Sequence, residues 1–239
     1  MEHVAVVTGA DRGLGLALTT GLLERGWRVF AGQYMPEWPA LGALARQQPQ
    51  RLGIVGLDVA STSAVRAAAR YVAAAADHVD LLINNAGVIS PTNARDIREP
   101  QNYEEMERLY DVNALGPLRV VEAFLPLMDL GAMKRLCFVS SEAGSITNCR
   151  RTSWYGYCMS KAALNMGVRI LFNDLRREGY SFRLYHPGWM RTYMSGAKST
   201  RADLEPEEAA GPALAYFLGE VPDEDTLCMR DNKGREWPW

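Results

Sequence analysis

A tyrosine and a lysine in the second half of the sequence could carry out acid–base chemistry together. Tyr157 and Lys161 are four residues apart in a stretch with helical spacing, so they would share one helix face. An ammonium near a phenol favours the phenolate, because it stabilises the charged form and lowers the pKa of the tyrosine. Such a tyrosine can protonate a developing alkoxide or take a proton from an alcohol. The pair predicts this chemistry, although the same spacing also occurs in ordinary surface pairs.

A glycine-containing turn near the start of the chain could bind phosphate. It joins the first apolar run to the first helical stretch and reads Thr8-Gly9-Ala10-Asp11-Arg12-Gly13-Leu14-Gly15. Glycines allow the backbone to turn sharply and to approach a pyrophosphate closely, and the free N–H groups and the dipole of the next helix favour the anion. The alternative is a tight strand–helix turn that binds nothing. Its position at the start of an alternating strand and helix pattern favours a dinucleotide.

Alternating strands and helices must position these two candidates. Short apolar runs predict strands at 4–7, 27–31, 52–57, 79–83, 134–140, 181–185 and 226–230. Helical spacing is found at 14–25, 61–76, 103–128, 154–178 and 206–218. Strands that alternate with helices pair in parallel through right-handed crossovers. We therefore expect an α/β Rossmann fold, a doubly wound parallel sheet of about seven strands with helices on both faces.

Composition and charge exclude several other classes. The 239 residues are 48% hydrophobic and 23% charged with a net charge of −2, which is near the average for globular proteins and argues against disorder. The sequence has no basic excess of the kind that indicates nucleic-acid binding. It also has no run of ~18 apolar residues of the kind that indicates a membrane span. Four cysteines without a C-x-x-C pair favour neither a disulfide framework nor a metal site. We expect one cytoplasmic domain over residues 1–239, with no metal and no nucleic-acid or membrane partner.

Several segments together resemble the short-chain dehydrogenase/reductase (SDR) family, in its single-domain, carbonyl-reductase-like form. They are Gly9-x-x-x-Gly13-x-Gly15 after Thr8, Asn84-Asn85-Ala86-Gly87, Ser141-Glu142-Ala143-Gly144, Tyr157-x-x-x-Lys161 and His186-Pro187-Gly188. These landmarks follow the order of the family from Thr8 to Thr192. The resemblance implies an oxidoreductase that transfers hydride between a nicotinamide cofactor and a small carbonyl or alcohol substrate.

The resemblance also implies a catalytic set. Tyr157 is the acid/base, Lys161 lowers its pKa and binds the cofactor ribose, and Ser141 orients the substrate oxygen, with Ser140 as the alternative. Asn113 matches the family's helix asparagine, which bends its helix and supports a proton relay.

Cofactor-binding residues follow from the same resemblance, by position along the chain. The turn contributes Gly9, Arg12, Gly13, Leu14 and Gly15. The other positions are Asp58, Val59, Asn85, Ala86, Gly87, Tyr157, Lys161, Pro187, Gly188, Met190 and Thr192.

The choice of cofactor depends on the end of the second strand. Family members that use NAD usually have an acidic residue there, whereas this chain reads Gly32-Gln33-Tyr34-Met35. Arg12 lies where NADP-dependent members often have a basic residue, and a guanidinium can bind a 2′-phosphate. The alternative is a solvated arginine on an exposed turn. We therefore expect NADP(H) to be preferred, with NAD(H) possible.

The substrate side is less specified. Sequence position suggests wall residues at Glu142, Ile146, Cys149, Trp154, Trp189, Tyr193 and Met194, and a lid around 189–218. Residues 148–154 resemble a small insertion in which Arg150 and Arg151 either attract an acidic substrate or are solvated. The alternatives are a dinucleotide-binding regulator without catalysis and a lyase or epimerase of the same fold. By analogy with the family we expect a homodimer or homotetramer.

Overall fold

A single sheet organises the chain. The computed structural model describes residues 2–90, 92, 94–194 and 198–239. In these residues the strands are β1 (Val4–Val7), β2 (Arg28–Gln33), β3 (Leu52–Gly56), β4 (Leu81–Asn84), β5 (Arg135–Val139), β6 (Ser181–His186), β7 (Met229–Asp231) and β8 (Glu236–Trp237). Their order in the sheet is β3-β2-β1-β4-β5-β6-β7-β8. Every pair is parallel except β7 with β8. The predicted fold class is confirmed.

Helices cover both faces of this sheet. They are α1 (Gly13–Glu24), α2 (Pro39–Gln47), α3 (Thr62–Ala75), α4 (Tyr103–Tyr110), α5 (Gly116–Met128), α6 (Tyr155–Leu175) and α7 (Pro206–Leu218). One apolar layer contains side chains from α3, α5 and α6, such as Val65, Phe124 and Val168. The other contains side chains from α1, α2 and α7, such as Leu18 and Phe217. The strands between the two layers are buried on both sides, which explains their continuous apolar sequence.

Three elements differ from the sequence prediction. The helix predicted at 103–128 is divided, because a π-helical segment, Asp111–Leu115, lies between α4 and α5. The terminal hairpin strand β8 was not predicted, and its two residues, Glu236–Trp237, are too few to give an alternating pattern. Helix α2 was not assigned from the sequence either.

The sheet order determines where a ligand can bind. From β1 the chain builds outward to β2 and β3 on one side, and then returns to β4 on the other side. The crevice beyond the carboxyl ends of β1 and β4 is therefore the topological switch point, where doubly wound folds bind their ligands. No helix in the described part of the chain is long and apolar enough to cross a membrane.

Candidate active site

The glycine turn between β1 and α1 packs against the segment that follows β4. Gly9 has φ +64°, and a Cβ there would lie 2.9 Å from the Cα of Ala86. A Cβ on Gly15 would lie 2.1 Å from the carbonyl oxygen of Gly9. Only glycine fits either position, since both contacts are with backbone. Helix α1 begins at the N-cap residue Arg12, whose side chain makes no capping hydrogen bond with the N–H groups of the first turn.

Thr8 and Asn85 join the ends of β1 and β4. The Thr8 hydroxyl accepts hydrogen bonds from the backbone N–H groups of Asn85 and Ala86, each at 3.0 Å. In return the Asn85 amide donates to the carbonyls of Thr8 and Gly9 at 2.9 and 3.1 Å. These reciprocal bonds satisfy the backbone at the switch point and fix the position of the turn.

Two neighbours in the turn face the end of β2. Asp11 is buried, and its carboxylate accepts hydrogen bonds from the backbone N–H groups of Tyr34 and Met35 at 2.9–3.1 Å. The Arg12 guanidinium lies over the ring of Trp38, 4.4 Å from its centroid. Arg12 is thus only partly exposed, and it is held rather than freely solvated. The roles of Asp11 and Trp38 were missed from the sequence, because both depend on contacts between distant segments.

Ser141 and Tyr157 meet at the carboxyl end of β5. The Ser141 side chain lies next to the Tyr157 phenol, and its hydrogen-bonding influence acts to lower the pKa of that tyrosine. Its neighbour Ser140 points elsewhere, since its hydroxyl donates to the Asn165 side chain at 2.6 Å. The geometry thus favours Ser141 over the alternative Ser140 as the partner of the tyrosine. The ring of Trp154 packs edge-on against that of Tyr157, with centroids 6.0 Å apart.

Burial controls the protonation of both members of the tyrosine–lysine pair. It raises the pKa of Tyr157 to about 12, although the Ser141 hydrogen bond acts in the opposite direction. Burial also lowers the pKa of Lys161 to about 8. The net pKa of Tyr157 is raised because desolvation of the phenolate outweighs the groups that act to lower it. The role of Lys161 in lowering this pKa stays a prediction. The phenol holds its proton near neutral pH.

Asn113 and Lys161 both face the backbone at Gly87. A Cβ on Gly87 would lie 3.3 Å from Asn113 Oδ1 and 3.6 Å from Lys161 Nζ. The lysine donates to the carbonyl of Val139 at 3.1 Å. The Asn113 side chain accepts a hydrogen bond from the N–H of Val88 at 2.8 Å and donates one to the carbonyl of Val88 at 2.9 Å. Asn113 lies in the π-helical segment, so the helix deviates at the residue that the resemblance singles out.

Segments after β3 and β6 bring further predicted residues to the crevice. One Asp58 oxygen accepts from the N–H of Ala60 at 2.9 Å, which gives this residue a structural role in the turn before α3. The carbonyl of Val59 accepts from Arg119 at 3.3 Å. After Pro187, Gly188 has φ +85°. Residue Met190 pairs with Leu204 in an isolated parallel bridge.

The side of the site beyond Ser141 contains charged and aromatic groups. Glu142, Cys149, Arg150 and Arg151 line one pocket. Arg151 forms an ion pair with Glu142 and lies over the ring of Trp154, 4.6 Å from its centroid. The structure does not bring Tyr193 to this side, since its ring lies 4.8 Å from that of Trp38 at the opposite end of the crevice. Ile146, Trp189 and Met194 are exposed.

The residues around the switch point fit a dinucleotide. Gly9 and Gly15 have no side chain and could not carry one, so the main chain of the turn can approach a pyrophosphate closely. The N-terminus of α1, which has no side-chain cap, suits an anion. Among the described residues no group of three or more His, Cys, Asp or Glu side chains could hold a metal ion.

A phosphate-binding turn next to a buried tyrosine, serine and lysine defines a class of enzymes that oxidise or reduce substrates with a bound dinucleotide. Within that class, the model of the short chain dehydrogenase family matches residues 3–203, and the chain belongs to this family. The family predicted from the motifs is thereby confirmed.

Individual relatives agree with this assignment. An uncharacterised oxidoreductase of Schizosaccharomyces pombe is 34% identical over 95% of this chain and 88% of its own length. The C-signal protein of Myxococcus xanthus is 41% identical over 67% of this chain and 93% of its own length. The NADPH-bound carbonyl reductase from chicken fatty liver has 30% identity and a TM-score of 0.88, over 100% of this chain and 99% of that chain.

Proposed function

We propose that this protein is an NADP(H)-dependent oxidoreductase acting on a small carbonyl or alcohol substrate. The observation that carries the proposal is a buried Tyr157 that lies next to Ser141 and one helical turn from the buried Lys161. Similarity to an NADPH-bound carbonyl reductase supports the same chemistry. When bound, the nicotinamide ring donates or accepts the hydride.

The chain's own side chains handle the oxygen and its proton. Ser141 orients the substrate oxygen, and Tyr157 donates a proton to it in the direction of carbonyl reduction. A phenol with a pKa of about 12 is fully protonated at neutral pH, which suits this role. Lys161 stabilises negative charge on the phenolate oxygen, and Asn113, next to the same backbone position, supports the supply of protons.

Cofactor binding is assigned to the residues around the switch point. The backbone of the glycine turn and the start of α1 bind the pyrophosphate, and the segments containing Asp58 and Asn85 line the adenosine side. The segment from Pro187 to Thr192 lies along the nicotinamide. Arg12 selects NADP(H), because no acidic residue at the end of β2 is available to bind ribose hydroxyls and a guanidinium suits a phosphate.

The test is a panel of aldehydes, ketones and alcohols, assayed in parallel with NADPH and NADH. We expect turnover of at least one carbonyl, with a higher kcat/KM for NADPH. Tyr157→Phe should abolish this turnover while the dissociation constant for NADPH stays within about twofold. Tyr155→Phe is the matched control and should keep activity, since it is a neighbouring tyrosine whose hydroxyl donates to the backbone carbonyl of Thr152 at 3.4 Å. Retained turnover in Tyr157→Phe would overturn the mechanism.

Neither alternative function is favoured by the arrangement. A regulator without catalysis needs a dinucleotide site but no buried serine–tyrosine pair. A lyase or epimerase of the same fold is not favoured either, because the similar structures include an NADPH-bound carbonyl reductase.

We further propose that the chain acts as one cytoplasmic domain that assembles into a homodimer or homotetramer. Exposed apolar side chains on α6, namely Met159, Met166 and Ile170, support an assembly surface. Residues around 189–218 act as the lid over the substrate.

A further inference from the structure

Three side chains from distant segments form a stack at the adenosine end of the crevice. The Arg12 guanidinium lies 4.4 Å from the centroid of the Trp38 ring and 5.8 Å from that of Tyr193. The two rings lie 4.8 Å apart at an angle of 59°. We call these three residues the Arg12 stack. Distances of this size are typical of cation–π and aromatic contacts.

Each member of the Arg12 stack is fixed by its own segment. Arg12 is the N-cap residue of α1, and Trp38 is the N-cap residue of α2. The loop before Trp38 is anchored to the glycine turn by the Asp11 carboxylate, and Trp38 N–H donates to the carbonyl of Met35 at 3.2 Å. The backbone positions of Arg12 and Trp38 are therefore set by the helices that they begin and by the anchored loop between them.

Tyr193 belongs to the other side of the crevice. It lies in the lid segment, defined here as residues 189–194 and 198–204. The neighbouring Thr192 faces the turn, because its methyl carbon lies 3.5 Å from where a Cβ on Gly13 would be. The lid segment thus packs on the phosphate-binding turn through Tyr193 and faces it at Thr192.

Stacking leaves the hydrogen-bonding edge of Arg12 available. A guanidinium packs against a ring with its flat face, while its five N–H donors point outward in the plane. In the described part of the chain, Arg12 donates no side-chain hydrogen bond and forms no ion pair. Its acidic neighbour Asp11 is occupied by the backbone N–H groups of Tyr34 and Met35. An anion at this edge would be bound without first breaking an internal pair.

We propose that Trp38 and Tyr193 form an aromatic platform that holds Arg12 ready for a phosphomonoester on the adenosine ribose and docks the lid segment onto that same arginine. The inference rests on the proposed function and adds two residues that set cofactor specificity. Because one guanidinium serves both contacts, binding of the phosphate and ordering of the lid segment are coupled. NADP(H) therefore stabilises the docked lid more than NAD(H) does.

The first experiment measures cofactor discrimination by titration calorimetry on the full chain. Trp38→Leu should weaken NADPH binding about tenfold, as expected for loss of a cation–π contact, and NADH binding by less than twofold. Adenosine 2′-monophosphate and adenosine 5′-monophosphate serve as small probes, and only the first should lose affinity. Trp38→Phe keeps a ring and should recover most of the discrimination. Tyr71→Leu, an exposed aromatic residue on α3, is the control.

The second experiment measures docking of the lid segment by limited trypsin digestion after Arg191, Lys198 and Arg201. NADPH should slow cleavage of the wild type at least threefold more than NADH at equal saturation. Tyr193→Leu should remove this difference while Tyr71→Leu keeps it.

Two results would overturn the inference. They are an unchanged preference for NADPH over NADH in Trp38→Leu and equal protection of the lid segment by NADPH and NADH in the wild type. If the wild type reduces carbonyls with NADPH in either of these cases, the proposed function stands and only the platform is wrong. A wild type that binds neither cofactor would overturn both.

Discussion

At the scale of one residue, burial of the Lys161 ammonium in the candidate active site reduces the stability of the fold. Its side chain is buried next to a carbonyl, and the residue keeps only 3% of its surface exposed. Burial disfavours the ammonium and lowers the pKa of this lysine to about 8. The unfolded chain binds the proton more tightly, so the free energy of unfolding is reduced at every pH below 8 and recovers as the pH rises towards 10.5.

This linkage predicts the behaviour of Lys161→Met. At pH 7 the variant should be more stable than the wild type, by up to roughly 3 kcal/mol, because it keeps the aliphatic stem and has no charge to desolvate. The advantage should shrink between pH 8 and 10 as the wild-type lysine loses its proton. Urea unfolding at pH 7 and pH 10 measures the difference.

Lys233→Met is the matched control, because this lysine is exposed on the turn before β8. It should change stability by less than about 0.5 kcal/mol at either pH. A Lys161→Met variant that is less stable than the wild type at pH 7 would show that the ammonium is stabilised by groups other than the Val139 carbonyl.

At the scale of elements, the π-helical segment is held by one asparagine. The Asn113 side chain makes three hydrogen bonds, two with the backbone of Val88 and one with the Ser160 hydroxyl at 3.0 Å. These bonds tie the α4–α5 region to the segment after β4 and to α6. The deviation from α-helical geometry thus coincides with a functional position, as is frequent for such segments.

Asn113→Ala should destabilise the fold by about 2 kcal/mol, since it leaves buried partners unsatisfied. Ser160→Ala removes only one of the three bonds and should cost less. Urea unfolding of both variants at neutral pH checks this order. Equal stability of Asn113→Ala and the wild type would mean that the backbone alone maintains the π-helical segment.

The end of helix α7 is held against the sheet by a buried arginine. The side chain of Arg183 in β6 is fully buried and forms two hydrogen bonds with Glu224, at 2.6 and 2.8 Å. Arg183 also donates to the carbonyls of Tyr216 and Gly219, so it fastens the end of α7 to the sheet. Burial alone would raise the pKa of Glu224, but the bonds and the charge of Arg183 outweigh it and hold that pKa below its usual value.

Glu224→Ala should therefore destabilise the fold by about 2 kcal/mol at pH 7. This is less than for a fully buried pair, because the Glu224 side chain keeps 43% of its surface exposed. A carboxylate with a lowered pKa contributes above its unfolded value of 4.5, so the gap to the wild type should narrow as the pH falls below 4.5. Glu220→Ala, an exposed neighbour, is the control for urea unfolding at pH 7 and pH 4. An equal effect of the two substitutions would contradict the argument.

The elements also show what a sequence can reveal. The strands were predicted because buried parallel strands are short runs of apolar residues, as in β1. The apolar pattern at 103–128 predicted one continuous helix, and only the resemblance implied a bend at Asn113, because the bend depends on bonds from Asn113 to a distant loop. The pairing of Tyr157 with Ser141 followed from motif order, whereas the contacts of Asp11, Trp38 and Tyr193 join segments that no local pattern connects. Non-local polar and aromatic contacts therefore account for most of what sequence reasoning missed.

At the scale of the whole molecule, an apolar face on α6 has no partner within the described chain. Met159, Met166 and Ile170 lie on one side of the helix and are 62%, 61% and 60% exposed. The opposite side of α6 contains the buried Tyr157 and Lys161. Leu118 of α5 is also partly exposed, and its side chain lies 3.5 Å from where a Cβ on Gly167 would be, so α5 and α6 form one surface. Covering this surface with a second copy would remove apolar area from water.

Substitution on this face should separate the proposed homo-oligomer. The double variant Met166→Glu with Ile170→Glu places four charges across a twofold interface, and we expect it to be monomeric in size-exclusion chromatography with light scattering at micromolar concentration. Tyr71→Glu adds a charge on α3, away from this face, and should keep the mass of the wild type. Because the face lies on the outside of the helix that holds Tyr157 and Lys161, the double variant should retain NADPH binding within about threefold. A wild type that is already monomeric at this concentration would refute assembly through α6.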